Sequence, residues 1–141
     1  MLKRLVLLLA SMAVLCGSAA AEWTRVGEAS GTLGAGRYAA YVDVATRFKA
    51  GDTARIWSIF DYKDPQKGLD GKPYRSNKLH WEFDCKDKLS RLAHLTWFVG
   101  QMGSGSIVYS SDGHPTRWST WAPVSSDKAL KIIWEIACEK K

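Results

Sequence analysis

The sequence predicts an α+β fold: an antiparallel β-sheet of about five to six strands, one C-terminal α-helix packed on one face, and one disulfide tying the two together. Three observations carry that prediction. Short β-rich runs separated by glycine, proline and charged turns fill the middle of the chain. The hydrophobic period changes once, near the C-terminus, and two cysteines anchor a mid-chain strand and that last element.

Of the 141 residues, the first 21 are expected to lie outside the fold. Lys3 and Arg4 precede an apolar run from Leu5 to Leu15, and Ala19 and Ala21 form an A-x-A cleavage site, the pattern of a secretory signal peptide. The run is too short to span a bilayer, and nothing later resembles a transmembrane helix. One mature domain, residues 22–141, is therefore expected in the periplasm, at the cell surface or in the medium, all oxidising compartments. Cys16 falls within the leader, and Leu15 before it departs from the small residue that lipid modification of such a cysteine favours. Cys85 and Cys138 then allow one intramolecular pairing. It closes a loop of more than fifty residues, which chain entropy makes worth roughly 4 kcal/mol.

Gly27, Gly31, Gly34 and Gly36 make the segment after Trp23 loop-like, and a first strand begins at Tyr38-Ala39-Ala40-Tyr41-Val42-Asp43-Val44. Gly51-Asp52 supplies a turn, after which Thr53 to Tyr62, rich in Ile, Trp and Phe, forms a second strand. Pro65, Gly68, Gly71 and Pro73 among charges make Lys63 to Lys78 a long exposed loop. Strands follow at about Leu79 to Cys85 and Leu89 to Val99, joined by Lys86-Asp87-Lys88. In the first of these, alternation sends Trp81, Phe83 and Cys85 to a buried face and His80, Glu82 and Asp84 to a wet one. After Gly100, Gly103 and Gly105 comes a short strand, Ser106 to Ser110, and then a polar loop holding Gly113 and Pro115. Leu130, Ile133, Trp134 and Ala137 fall at i, i+3, i+4 and i+7, one stripe of an amphipathic helix whose start Ser126 or Asp127 can cap. No repeat or inter-domain linker interrupts the chain.

These residues resemble the surface-adhesin protein E family of small exported bacterial proteins. The likeness rests on Tyr41-Val42-Asp43 with Thr46, on Ile56-Trp57 leading to Asp61-Tyr62-Lys63 and Pro65-Gln66, and on Gly71-Lys72-Pro73-Tyr74 with Ser76. It continues through Trp81-Glu82-Phe83-Asp84-Cys85, Trp121-Ala122-Pro123 and Trp134-Glu135-Ile136-Ala137-Cys138, and so spans nearly all of the mature chain. The resemblance implies the same disulfide-held sheet with one helix, and a non-enzymatic surface protein. Its namesake type is lipid-anchored and attaches bacteria to host cells and to matrix or serum proteins. Fold likeness does not transport a ligand.

The formal charge of +6 falls by two when Lys3 and Arg4 leave, so the mature domain is mildly basic and suits an acidic protein, an anionic glycan or another envelope partner. No arginine-rich helix, zinc knuckle or ribonucleoprotein-type motif accompanies the charge, which sets nucleic acid aside. The candidate partner-binding loop is Tyr62, Lys63, Lys67, Lys72, Tyr74, Arg75 and Lys78, where cations steer and tyrosines supply contact area; the bland alternative is a solvated loop. Trp118 and Trp121 are candidate surface aromatics that could stack on sugars, while the periodicity of Trp81 and Trp134 points to the core. A homodimer through an open sheet edge is conceivable, yet no residue marks it.

Catalytic and cofactor signatures are missing from the residues. His80, His94 and His114 form no recognised metal spacing, though His80, Glu82 and Asp84 share a strand face; the bland reading is a polar outer surface. Ser104 lacks the full nucleophile elbow, and Gly31, Gly34 and Gly36 fail the dinucleotide spacing. Asp61, Asp64, Asp70, Glu82 and Asp84 offer carboxylates for glycan hydrolysis with no spacing to pair them. The sequence thus favours a binding protein that is not an enzyme and needs no cofactor. A periplasmic structural or hydrolase-inhibitory protein is the alternative, and a small secreted hydrolase a remote one.

Overall fold

The computed structural model describes residues 21–31, 36–112, 119–124 and 127–139. Among these residues seven strands, a short 3-10 helix (Gln101–Gly103) between β5 and β6, and one α-helix follow in order: β1 (Thr24–Ala29), β2 (Tyr38–Ala50), β3 (Thr53–Lys67), β4 (Pro73–Asp84), β5 (Leu89–Phe98), β6 (Ile107–Asp112), β7 (Ala122–Pro123) and α1 (Lys128–Ala137). All pair antiparallel in one sheet ordered β1-β2-β3-β4-β5-β6, with β7 beside β5. This is the predicted architecture, with the Cys85–Cys138 disulfide formed at a Cα separation of 5.6 Å. The expected leader and Cys16 lie outside the described residues, apart from Ala21 at the leader's end.

The inner face of the sheet makes the core. Ala40 and Val42 of β2, Ile56, Phe60 and Tyr62 of β3, Leu79, Trp81 and Phe83 of β4, and Leu92, Leu95 and Trp97 of β5 are all buried there. Helix α1 lies over the β1, β2 and β3 side of this face and buries Ala129, Leu130, Ile133 and Ala137. Trp134 of the expected stripe is only half-buried, and its indole N–H donates to the Asp84 carbonyl at 3.1 Å. Asp127 is the N-cap and accepts from Leu130 N at 2.9 Å, while Tyr38 OH donates to its other oxygen at 3.0 Å. Ser126, the other candidate cap, lies outside the described residues. At the far end Arg47 Nε donates to the carbonyls of Ile136 and Ala137, and its guanidinium also reaches that of Glu139. A helix of ten residues is marginal alone, so these ties and the disulfide fix where it docks.

Two sequence expectations are corrected here. The glycine-rich segment after Trp23 contains β1, whose Gly27 is a strand residue beside a bulge, facing Ile132 of α1. The expected loop from Lys63 to Lys78 is mostly strand. β3 runs on to Lys67, β4 begins at Pro73, and only Gly68 to Lys72 turn, with Gly68 N–H donating to Lys72 O at 2.7 Å and Gly71 at φ +72°. Pro65 fits because the β3–β4 register shifts between Asp61 and Gln66, which leaves its position outside the ladder.

Candidate binding surface

Among the described residues no α-helix covers the sheet's other face; only the short 3-10 turn Gln101–Gly103 packs at one end of it, over Ile59. Cross-strand partners share a face, so the register alone places that face's side chains in rows. One row runs Phe48, Arg55, Glu82, Arg91 across β2, β3, β4 and β5; the next runs Asp43, Trp57, His80, His94; a third runs Tyr41, Ile59, Lys78, Thr96. A bulge in β5 between the partners of His80 and Trp81 adds Ala93 to the strand. It allows Leu92 and Leu95, of opposite parity, both to enter the core, and it brings His94 beside His80 on the outer face.

Glu82 organises the first row. Its side chain is only 6% exposed, and both its oxygens are engaged: Arg55 at 2.5 Å on one, and Arg91 through Nε at 3.0 Å and a terminal nitrogen at 2.5 Å on the other. The arginine side chains remain 49% and 38% exposed, so each keeps unused N–H donors facing water. Trp121 lies over the Arg91 guanidinium at 4.3 Å, a cation–π contact that orients the fork.

The second row is aromatic. Trp57 and His80 stack with centroids 4.4 Å apart and planes 6° from parallel, and His94 meets Trp57 edge-on at 5.6 Å. Burial, with Arg55 and His94 nearby, holds the His80 imidazole below its ordinary pKa, against a smaller opposing pull from Glu82. His94 Nε2 pairs with Thr96 Oγ1 at 3.0 Å. The Lys78 ammonium sits over both Trp57 and Trp23, at 5.2 and 5.9 Å. The acidic groups at the margins are tied to backbone N–H groups: Asp43 to Ala45, Asp61 to Met102, and Asp84 to Lys86 and Asp87.

The sequence-derived loop candidates are dispersed by this arrangement. Tyr62 is fully buried and Tyr74 nearly so, which corrects their assignment as exposed contact residues: they pack edge-to-face at 5.7 Å in the inner core. Tyr62 OH accepts from Asn77 Nδ2 at 3.0 Å, and burial drives its pKa far up, with Tyr74, Tyr38 and Asp127 adding to it. Tyr62 continues the inward phase of Ile56, Ser58 and Phe60 into what the prolines and glycines mark as loop, whereas Tyr74 is re-aimed by the β3–β4 register shift. Lys63, Lys67 and Lys72 are exposed on the β3–β4 hairpin, Arg75 donates to Lys63 O at 3.0 Å, and Lys78 belongs to the outer face. Trp121 is at the surface against Arg91, and Trp118 lies outside the described residues, as does His114.

The shared strand face of His80, Glu82 and Asp84 is real, but Glu82 is committed to two arginines. Among the described residues, no group of three His, Cys, Asp or Glu side chains could hold a metal ion, and no helix is long and apolar enough to cross a membrane. The outer-face residues that sequence reasoning missed are Arg55, Trp57 and Arg91. Their cross-strand register was the signal, and it was hidden by the bulges in β2 and β5.

Three comparisons bear on this arrangement. Protein E of Haemophilus influenzae, in its selenomethionine form, superposes with a TM-score of 0.51 at 12% identity, covering 70% of this chain and 78% of that one. The crystal structure of protein E from non-typeable Haemophilus influenzae gives a TM-score of 0.50 at 12% identity, over 70% and 68% of the two chains. At such identity the likeness is one of fold. No curated protein matches the sequence significantly. The sequence profile of the family described as Surface-adhesin protein E matches residues 23–139, nearly the whole of the domain, and the chain belongs to that family.

Proposed function

We propose that this chain is a non-enzymatic, adhesin-like binding protein, exported by residues 1–21 to the bacterial envelope or surface, and that it meets its partners with the outer face of its sheet. The observation that carries this reading is the contrast between a helix-covered inner face and an open outer face where arginines, a lysine and tryptophans stay at the surface in fixed positions. Rigid aromatics and oriented cations are the side chains that contribute most at recognition surfaces. Membership of an adhesin family supports the same role. The exposed Lys63, Lys67 and Lys72 extend the basic character to the β3–β4 hairpin, where they steer acidic partners from a distance.

The test is fractionation of cells expressing the full chain, followed by protease treatment of intact cells and a pull-down with the oxidised protein. Protein in the envelope, with its first 21 residues removed and partners retained through the outer face, is the expected result. Recovery of an uncut chain from the cytoplasm would overturn the reading.

A further inference from the structure

We propose that the outer face is a docking surface for a sulfated polysaccharide chain, held by Arg55, Arg91 and Lys78 beside the exposed ring of Phe48. This rests on the proposed binding role and names the chemistry of the partner.

Charge complementarity selects the occupant. The face holds three cations, Arg55, Lys78 and Arg91, against one central carboxylate, Glu82, which is already saturated by the two arginines. The peripheral aspartates Asp43, Asp61 and Asp84 accept backbone N–H bonds at the rim. Excess positive charge therefore sits at the middle of the face. Because Glu82 fixes both forks, their remaining N–H donors are preorganised, which lowers the entropic cost of engaging an oxyanion.

Spacing favours a chain over a small ion. Arg55 and Arg91 arise two strands apart, about 10 Å at the backbone, and converge on Glu82, which fills the space between their forks, so an added anion meets each fork separately on its outward side, as the repeated charges of a polymer do. Trp57 and His80 stack on each other and Trp121 on Arg91, and the ring left open beside these cations is Phe48, 63% exposed and paired with Arg55 across β2 and β3. Such a ring accepts the C–H face of a pyranose, whereas an acidic peptide needs no aromatic partner. A second copy of this chain suits the face poorly, since a two-fold contact sets the same cations against each other.

The experiment uses oxidised protein purified from cells expressing the full chain, titrated calorimetrically with a heparin octasaccharide, a hyaluronan octasaccharide and maltooctaose. The three probes carry sulfate, carboxylate alone, and no charge. Heparin is expected to bind, weakening as salt screens the arginines, with hyaluronan weaker by about tenfold and maltooctaose undetected. The triple variant Arg55→Ser, Glu82→Gln, Arg91→Ser removes the row without leaving a buried carboxylate unpaired, and should lose about tenfold or more of heparin affinity. Lys67→Ser with Lys72→Ser takes the same number of positive charges from the hairpin and should lose about twofold at most. Equal losses in the two variants, equal binding of maltooctaose, or no heparin binding would each overturn the inference. In those cases, partners retained by the oxidised protein after glycosidase treatment would leave the binding role standing with a protein as its target. Absence of every partner would remove both.

Discussion

On the inner face, Tyr38, Phe60, Tyr62, Tyr74 and Trp97 are at most 6% exposed and touch ring to ring, while on the outer face Arg55, Trp57, Lys78, His80, Arg91 and His94 keep contact with water. The same strands supply both sets, one residue apart. Inner aromatics gain by excluding solvent, and Trp81 Nε1 is matched inside by Ser58 Oγ at 2.9 Å. Outer aromatics instead position cations that stay hydrated. Burial and display are thus separated by the pleat of the sheet, so substitutions on either face should have different signatures.

The largest effect is expected from Phe60→Ala. Phe60 is fully buried and stacks on Tyr38 at 4.2 Å, and its loss should cost about 3–5 kcal/mol in urea unfolding. A cost below about 1 kcal/mol would mean that the inner face is not the packed one. Cys138→Ser should cost roughly 2–4 kcal/mol by releasing a 53-residue link between α1 and the end of β4. Tyr62→Phe sharpens the contrast, because it leaves the Asn77 amide without its partner and should cost about 1–3 kcal/mol while partner binding stays unchanged. If binding fell and stability did not, Tyr62 would be a contact residue after all.

Smaller effects belong to the outer face. Lys78→Gln removes a cation held over two tryptophans and should change stability by about 1 kcal/mol or less, measurable as a small shift in the urea midpoint. The smallest is the acid dependence contributed by His80. Its pKa is lowered in the fold, so on acidification the unfolded chain takes up the proton first. Stability from this group is intact above about 6.5, the unfolded value, and declines as pH falls below it. His80→Gln should flatten that part of the urea-midpoint profile; an unchanged slope would place the titration elsewhere.

Much of the fold was legible in the sequence. Alternation in Trp81, Glu82, Phe83 and the stripe of Leu130, Ile133 and Ala137 record single faces directly, and the cysteine count left one pairing. The site was less legible because bulges break the period on which such reading depends. Leu92 and Leu95 are both buried only because Ala93 is inserted between the partners of Trp81 and His80, and Tyr74 turns inward beyond the β3–β4 register shift. Proline and glycine in the sequence signal a strand end near Lys63, whereas Pro65 occupies an unpaired stretch and the glycines make one short turn. Glu82 shows the same limit for charge: alternation sends it toward water, and two arginines from neighbouring strands cover it.

The order of the elements along the chain has a consequence for biogenesis. Helix α1 follows every strand in the chain, yet its seat is prepared by Tyr38 and Arg47 on β2, and Cys138 at its end follows its bond partner Cys85 by 53 residues. A growing chain therefore holds a nearly complete sheet whose aromatic inner surface has no lid. That interval is when the polypeptide is most prone to self-association, and a holding chaperone active then would matter more to yield than any later gain in native stability.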